Sequence, residues 1–369
     1  MTDIRIDKLA DVLVNYSVAV QSGDKVVIRG GVPAASLLKA VYAKVLQAGG
    51  HPFMMPSLPG AEEVFFRYAS DEQLQHVPEP LELMVDTYDV SITIGGMENT
   101  KSLSNVDPAK IVQHSQAQAD LMKTYMQRAA VGDLRWVGTL FPTNAYAQDA
   151  EMSLSEYEDF VYGACMPDLD DPVGYWQRFS VWQQKIVDWL KGKERVRVIG
   201  PETELQLSIA GRTFINSDGK NNMPSGEVFT GPVEDSVEGH VHFSYPAIHQ
   251  GREVSGIRLW FEKGKVVKAT AEKNEDFLLQ TLDTDDGSRY VGEFAIGTNK
   301  GITQFTRQIL FDEKINGSFH MALGAGYPET GSKNESAIHW DMICDMRDGG
   351  EIWVDDELLY QNGKFVVEF

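Results

Sequence analysis

The chain has only two cysteines, Cys165 and Cys344, far apart in its 369 residues and outside any CxxC pair. That scarcity argues against a disulfide framework and against a thiolate zinc site. No apolar run approaches the length needed to span a bilayer, so no membrane partner is expected. Basic residues are also few, 33 Lys and Arg against 54 Asp and Glu, for a formal charge of -21. A surface with that balance repels phosphate backbones, and nucleic acid is not an expected partner. No HExxH occurs, which excludes a thermolysin-like zinc helix. The glycine stretches "RGGVPAAS" and "IGGMENT" lack the GxGxxG and GxxxxGK(S/T) spacings and read as turns. The N-terminal "MTDIRIDKLADVLVNYSV" has charges throughout and no apolar segment ahead of a small-residue cleavage site, so the expected address is the cytoplasm.

What is present suits a globular protein with sizeable cores. Hydrophobic residues make up 43% of the chain, and its length exceeds what one core usually serves, so two domains are expected. In the first part, "IDKLADVLVNYS" and "ASLLKAVYAKVLQAGG" have helical spacing, while "GDKVVIRG", "HPFMMP" and "YDVSITIGG" read as strands. This alternation predicts an α/β domain with a largely parallel sheet. In "PVGYWQRFSVWQQKIVDWL", Trp176, Phe179, Ile186 and Trp189 or Leu190 form one helical stripe, expected to be core. Beyond "KGKER" the pattern becomes short strands and turns, ending in a hairpin through Asn362-Gly363. The expected domains are 1–190, α/β, and 191–369, a β-rich α+β domain.

Chemistry collects in the second half. In "SAIHWDM" and the residues after it, strand alternation puts Ala337, His339, Asp341, Ile343 and Asp345 on one face. Ile338, Trp340, Met342, Cys344 and Met346 occupy the other. A carboxylate facing the interior needs a partner or a metal, because desolvating it alone is too costly. His320, in "SFHMALGAGY", has small same-face neighbours that leave space around its ring. Glu227 and Glu293 each follow a glycine in an apolar setting. With Tyr327 nearby, these residues form a set of nitrogen and oxygen donors suited to zinc, cobalt or manganese. Carboxylates are also the usual bridges where two metals lie close together. His240 and His242 in "GHVHF" share a strand face but have no carboxylate in that run, and read as structural or surface residues.

At these residues the sequence resembles the metallo-aminopeptidases of the aminopeptidase T, aminopeptidase S and PepS type. The similar segments, in order, are "NMPSGEVFTGP", "VGEFAIGTN", "DEKINGSFHMALGAGYPET" and "SAIHWDM". The likeness extends to "LADVLVNYSVAVQSGDKVVI" and "FPTNAYAQDAEMSLSEYEDF", and so covers essentially the whole chain. It implies two divalent ions held by Glu227, Glu293, His320, His339 and Asp341, with Tyr327 at the site and Glu313 near the metals. It also implies a homodimer that removes single residues from peptides with a free N-terminus. Glu293 is the expected bridging ligand, and Tyr327 or Glu313 the group that stabilises the oxyanion or moves a proton. The stretch from Tyr327 to His339 looks shorter than in better-known members, and that from Glu313 to His320 longer. Two other functions fit the same residues: another metal-dependent amide or ester hydrolase, and a protein that binds peptides or metals without turnover.

Overall fold

A computed structural model describes residues 3–369. The expected alternation forms a five-stranded parallel sheet, in the order His51–Ser57, Lys25–Gly31, Val90–Gly95, Arg135–Leu140 and Asn222–Met223. Val26, Val27 and Ile28 are buried in succession, so both faces of their strand are covered, as parallel sheets require. The helix Ala35–Gln47 buries Leu37, Leu38, Val41 and Val45, a stripe that packs on the first two strands. Gly30 and Gly31, the last two residues of the Lys25–Gly31 strand, mark a close approach: a Cβ on Gly31 would collide with the Gly96 carbonyl. "RGGVPAAS", expected to be a turn, instead closes that strand at residues 29–31 and passes through the 3-10 helix Val32–Ala34 directly into the helix Ala35–Gln47.

The chain divides into two compact units, one running to Trp176 and including Gly219–Pro224, the other comprising Gln177–Asp218 and Ser225–Phe369. The chain thus returns to the first unit to supply the short Asn222–Met223 strand, where Thr139 Oγ1 donates to the Met223 carbonyl at 2.7 Å. The helix Pro172–Leu190 buries Trp176, Phe179, Ile186 and Leu190, with Trp189 only partly covered.

The second unit holds three antiparallel sheets, the two-stranded pair Ala247–His249 and Arg252–Val254 and two large ones. One has eight strands: Lys265–Thr270, Arg258–Glu262, Glu238–His242, Thr203–Ser208, Arg195–Gly200, Glu351–Val354, Glu357–Gln361 and Lys364–Phe365. Its last hairpin turns through Asn362 and Gly363, both at positive φ, as a tight two-residue hairpin turn demands. The other has five strands, His339–Asp345, Ser318–Gly324, Val291–Gly297, Glu227–Thr230 and Ile215–Ser217. Val198, Leu205 and Ile352 from the first sheet share one core with Phe294, Phe319, Met321, Trp340 and Met342 from the second. The apolar side of the "SAIHWDM" strand therefore faces that core. Trp340 is 1% exposed, so Trp340→Ala should cost about 3–5 kcal/mol. Denaturant unfolding of the metal-free chain would measure the loss, and a change below about 1 kcal/mol would contradict the packing described.

Candidate metal centre

Residues opposed across an antiparallel pair share a face, so the register of the five-stranded sheet decides which side chains meet. Asp341 pairs with Ala322 and Ala322 with Glu293; His320 lies between Ile343 and Ala295; His339 pairs with Gly324 and Glu227 with Gly297. All five expected ligand residues thus stand on one face. Ala295, Gly297, Ala322 and Gly324 between them are too small to fill the space. Gly324 is also required by its backbone, since φ is +101° and a Cβ would collide with the Ile338 carbonyl. A register shift between Val291 and Glu293 re-aims Glu293 at the edge of this basin.

The side chains converge closely. His320 Nε2 lies 3.4 Å from Glu227 Oε2 and 3.5 Å from Glu293 Oε1. His339 Nε2 lies 3.3 Å from Glu293 Oε2 and 3.5 Å from Asp341 Oδ1. Glu293 therefore presents one oxygen to each histidine. The Ala325 carbonyl, which can only accept, takes the proton of His339 Nδ1 at 2.7 Å and turns Nε2 toward the carboxylates. Glu313 caps the short helix Ile309–Asp312 and joins His320 and Asp341. Three triplets, Glu227/Glu293/His320, Glu293/His339/Asp341 and Glu313/His320/Asp341, each offer donor atoms within 4.8 Å of one another. Glu227 Oε2, both nitrogens of His320 and Asp341 Oδ1 are buried without a hydrogen-bond partner. Buried polar atoms are normally satisfied, and of these Glu227 Oε2, His320 Nε2 and Asp341 Oδ1 are atoms that a cation would satisfy. The donors are nitrogen and oxygen only, as zinc, cobalt and manganese accept.

A family described as thermophilic metalloproteases (M29) matches residues 2–365. The chain belongs to that family. Among its relatives are aminopeptidase 2 of Geobacillus stearothermophilus, 26% identical over 93% of this chain and 92% of that one. Aminopeptidase T of Thermus thermophilus is 25% identical over 97% and 95%. The solved structure of wild-type AmpT from Thermus thermophilus superposes with a TM-score of 0.86, covering 98% of this chain and 99% of that one, at 23% identity. A 2,5-dihydroxypyridine dioxygenase from Pseudomonas putida has the same fold at a TM-score of 0.60 and 13% identity. This M29 chain is accordingly a metal-dependent peptide hydrolase.

The electrostatics of the candidate centre are set by buried carboxylates facing two imidazoles. Burial works against a charged His320, yet the facing Glu293 and Glu227 carboxylates outweigh it and raise the imidazole to about 9. His339 is pushed up to about 12 in the same way, burial being overcome by Asp341 and Glu293. Asp341 is held at about 2 despite burial, chiefly by the His339 charge. Burial drives Glu313 up to about 8, with Lys314 opposing. In the metal-free chain the histidines keep protons where cations would sit. Because their folded values exceed the ordinary 6.5, the stability they contribute is complete below about pH 6.5 and is lost as His320 deprotonates near 9. Glu313, raised by burial, acts in the same direction. The melting temperature of the metal-free chain should fall between pH 6.5 and 9. A flat or rising profile over that window would contradict this charge arrangement.

Tyr327 lies at the rim, its ring 5.2 Å from that of His339 and 5.4 Å from Phe229. Burial, then the Glu293 and Asp341 charges, push its phenol up, so it stays protonated. His240 and His242 lie on the eight-stranded sheet, and His242 Nδ1 is 3.7 Å from Glu202. Neither enters a triplet. Lys314 is the residue that sequence reasoning missed. It is fully buried, with Nζ 3.6 Å from Glu227 Oε1 and in contact with Glu313 Oε1. A lysine beside a glutamate in "FDEKI" reads as solvated surface, and only its place between two strand-bearing segments could have signalled otherwise.

Proposed function

We propose that the chain is an aminopeptidase that releases N-terminal amino acids from peptides at a centre of two divalent ions. The observation that supports this best is Glu293, whose two oxygens face different histidines, as a bridging ligand's would. In this reading Glu227, Glu293, His320, His339 and Asp341 hold the ions, which are zinc, cobalt or manganese. When bound, two such ions would supply a water of pKa lowered toward neutrality and a Lewis acid for the scissile carbonyl. The chain's own groups do the rest. Tyr327 donates its phenol hydrogen to the developing oxyanion. Glu313, grouped with His320 and Asp341, is placed to move a proton between the attacking water and the leaving amine. The acidic basin receives the free α-amino group of the substrate. The relatives' names support the exopeptidase reading. The family resemblance supports a homodimer. Among the described residues no helix is long and apolar enough to cross a membrane.

The test combines metal analysis with a panel of aminoacyl anilides. Purified protein should carry close to two divalent ions per chain, and a strong chelator should abolish anilide release until metal is returned. N-acetylated substrates should be turned over far more slowly than free ones. Equal rates on blocked and free substrates would identify an endopeptidase or general amidase. Full activity without bound divalent metal would remove the mechanism altogether.

A further inference from the structure

Lys314 places a permanent positive charge at one end of the carboxylate cluster. Its ammonium contacts Glu313 Oε1 and lies 3.6 Å from Glu227 Oε1. Both ends of its backbone are anchored, the amide donating to the Phe311 carbonyl at 3.0 Å and the carbonyl accepting from Asn299 at 3.1 Å. The Glu293/His339/Asp341 triplet differs. Its contacts are internal, His339 Nε2 to Glu293 at 3.3 Å and to Asp341 at 3.5 Å, and among the described residues no lysine or arginine pairs with it directly. An ion that reaches Glu227 and Glu313 therefore meets the Lys314 ammonium, while one held by Glu293, His339 and Asp341 does not.

We infer that the two ion positions are unequal and that Lys314 makes them so. The position formed by Glu293, His339 and Asp341 fills first and tightly. The position that reaches Glu227 and Glu313 fills second and more weakly, against the resident ammonium. Lys314 is thus a positioning residue that sets the order of loading, an inference resting on the two-ion reading above. A buried ammonium is costly unless paired, so Lys314 also satisfies Glu227 and Glu313 while no ion is bound.

The test is a titration of chelator-stripped protein with manganese, followed by calorimetry, with elemental analysis for stoichiometry. Wild type should show two steps of different affinity. Lys314→Met removes the charge at nearly constant length, and should tighten the second step by at least about tenfold, the scale on which a unit charge within 4–6 Å alters cation affinity at a carboxylate. The first step should change less. Lys314→Arg keeps the charge and should keep the gap. His339→Ala should abolish the tight step and leave the weak one. If stripped Lys314→Met does not fold, the same affinities are read by chelator competition from the loaded chain. A wild-type chain that takes only one ion would defeat the two-ion reading itself. Two ions in wild type with an unchanged gap in Lys314→Met, or loss of the weak step in His339→Ala, would overturn the inference and leave the two-ion reading intact.

Discussion

Asp341→Asn should lower peptide hydrolysis by more than about 100-fold and release at least one ion per chain. The change keeps the shape of the side chain and removes its charge. Asp341 belongs to two of the three donor triplets, and its Oδ1 is buried without another partner. Loss of groups that merely orient ligands typically costs 10–100-fold in metal affinity or activity, so loss of a ligand charge should exceed that range. The neutral amide also leaves His339 without the carboxylate that chiefly raises its basicity. Plasma emission analysis beside anilide kinetics would measure both effects. His240→Ala and His242→Ala serve as controls, since neither residue joins a triplet. If those controls emptied the site while Asp341→Asn did not, the metal would be on the other sheet.

Tyr327→Phe should reduce kcat by about 10²–10³ with both ions still bound, the loss typical of one oxyanion donor. The ring is held by His339 and Phe229, so phenylalanine preserves the packing and removes only the hydroxyl. Because the phenol stays protonated among the carboxylates, it is available as a donor throughout the neutral range. A group that acts mainly in the transition state lowers kcat and kcat/KM together. An unchanged kcat would make Tyr327 a packing residue, and departure of an ion would make it a ligand.

Several features of this molecule could be read from its residues because they depend on short periods. Two-residue alternation separates Trp340, Met342 and Cys344 from His339 and Asp341, and the structure puts the first three in the core. The 3.6-residue stripe of Trp176, Phe179 and Ile186 is equally local, and all three are buried. Other features depend on partners remote in sequence. Asn222–Met223 is too short to show any period, yet it completes the parallel sheet of the first unit. Lys314 looks solvated because lysine usually is, and only the folded chain brings Glu227 against it. The proximity of Glu227, Glu293 and His320 follows from strand register, which their spacing along the chain does not reveal.

The His339–Asp345 strand carries site and core on opposite faces, and this limits how it can change over generations. Inserting or deleting one residue within it would turn every later side chain to the other side of the sheet. An insertion after His339 would send Asp341 toward the core and bring Met342 to the basin, a change that no single substitution elsewhere could reverse. Such a strand drifts by replacement and not by length. The connection from Ala325 to Ile338 joins two strands whose pairing already fixes their phase, so it is the segment free to lengthen or shorten between relatives. Variation in substrate size within the lineage should therefore be sought in loop length beside Tyr327, not in the strand that holds His339 and Asp341.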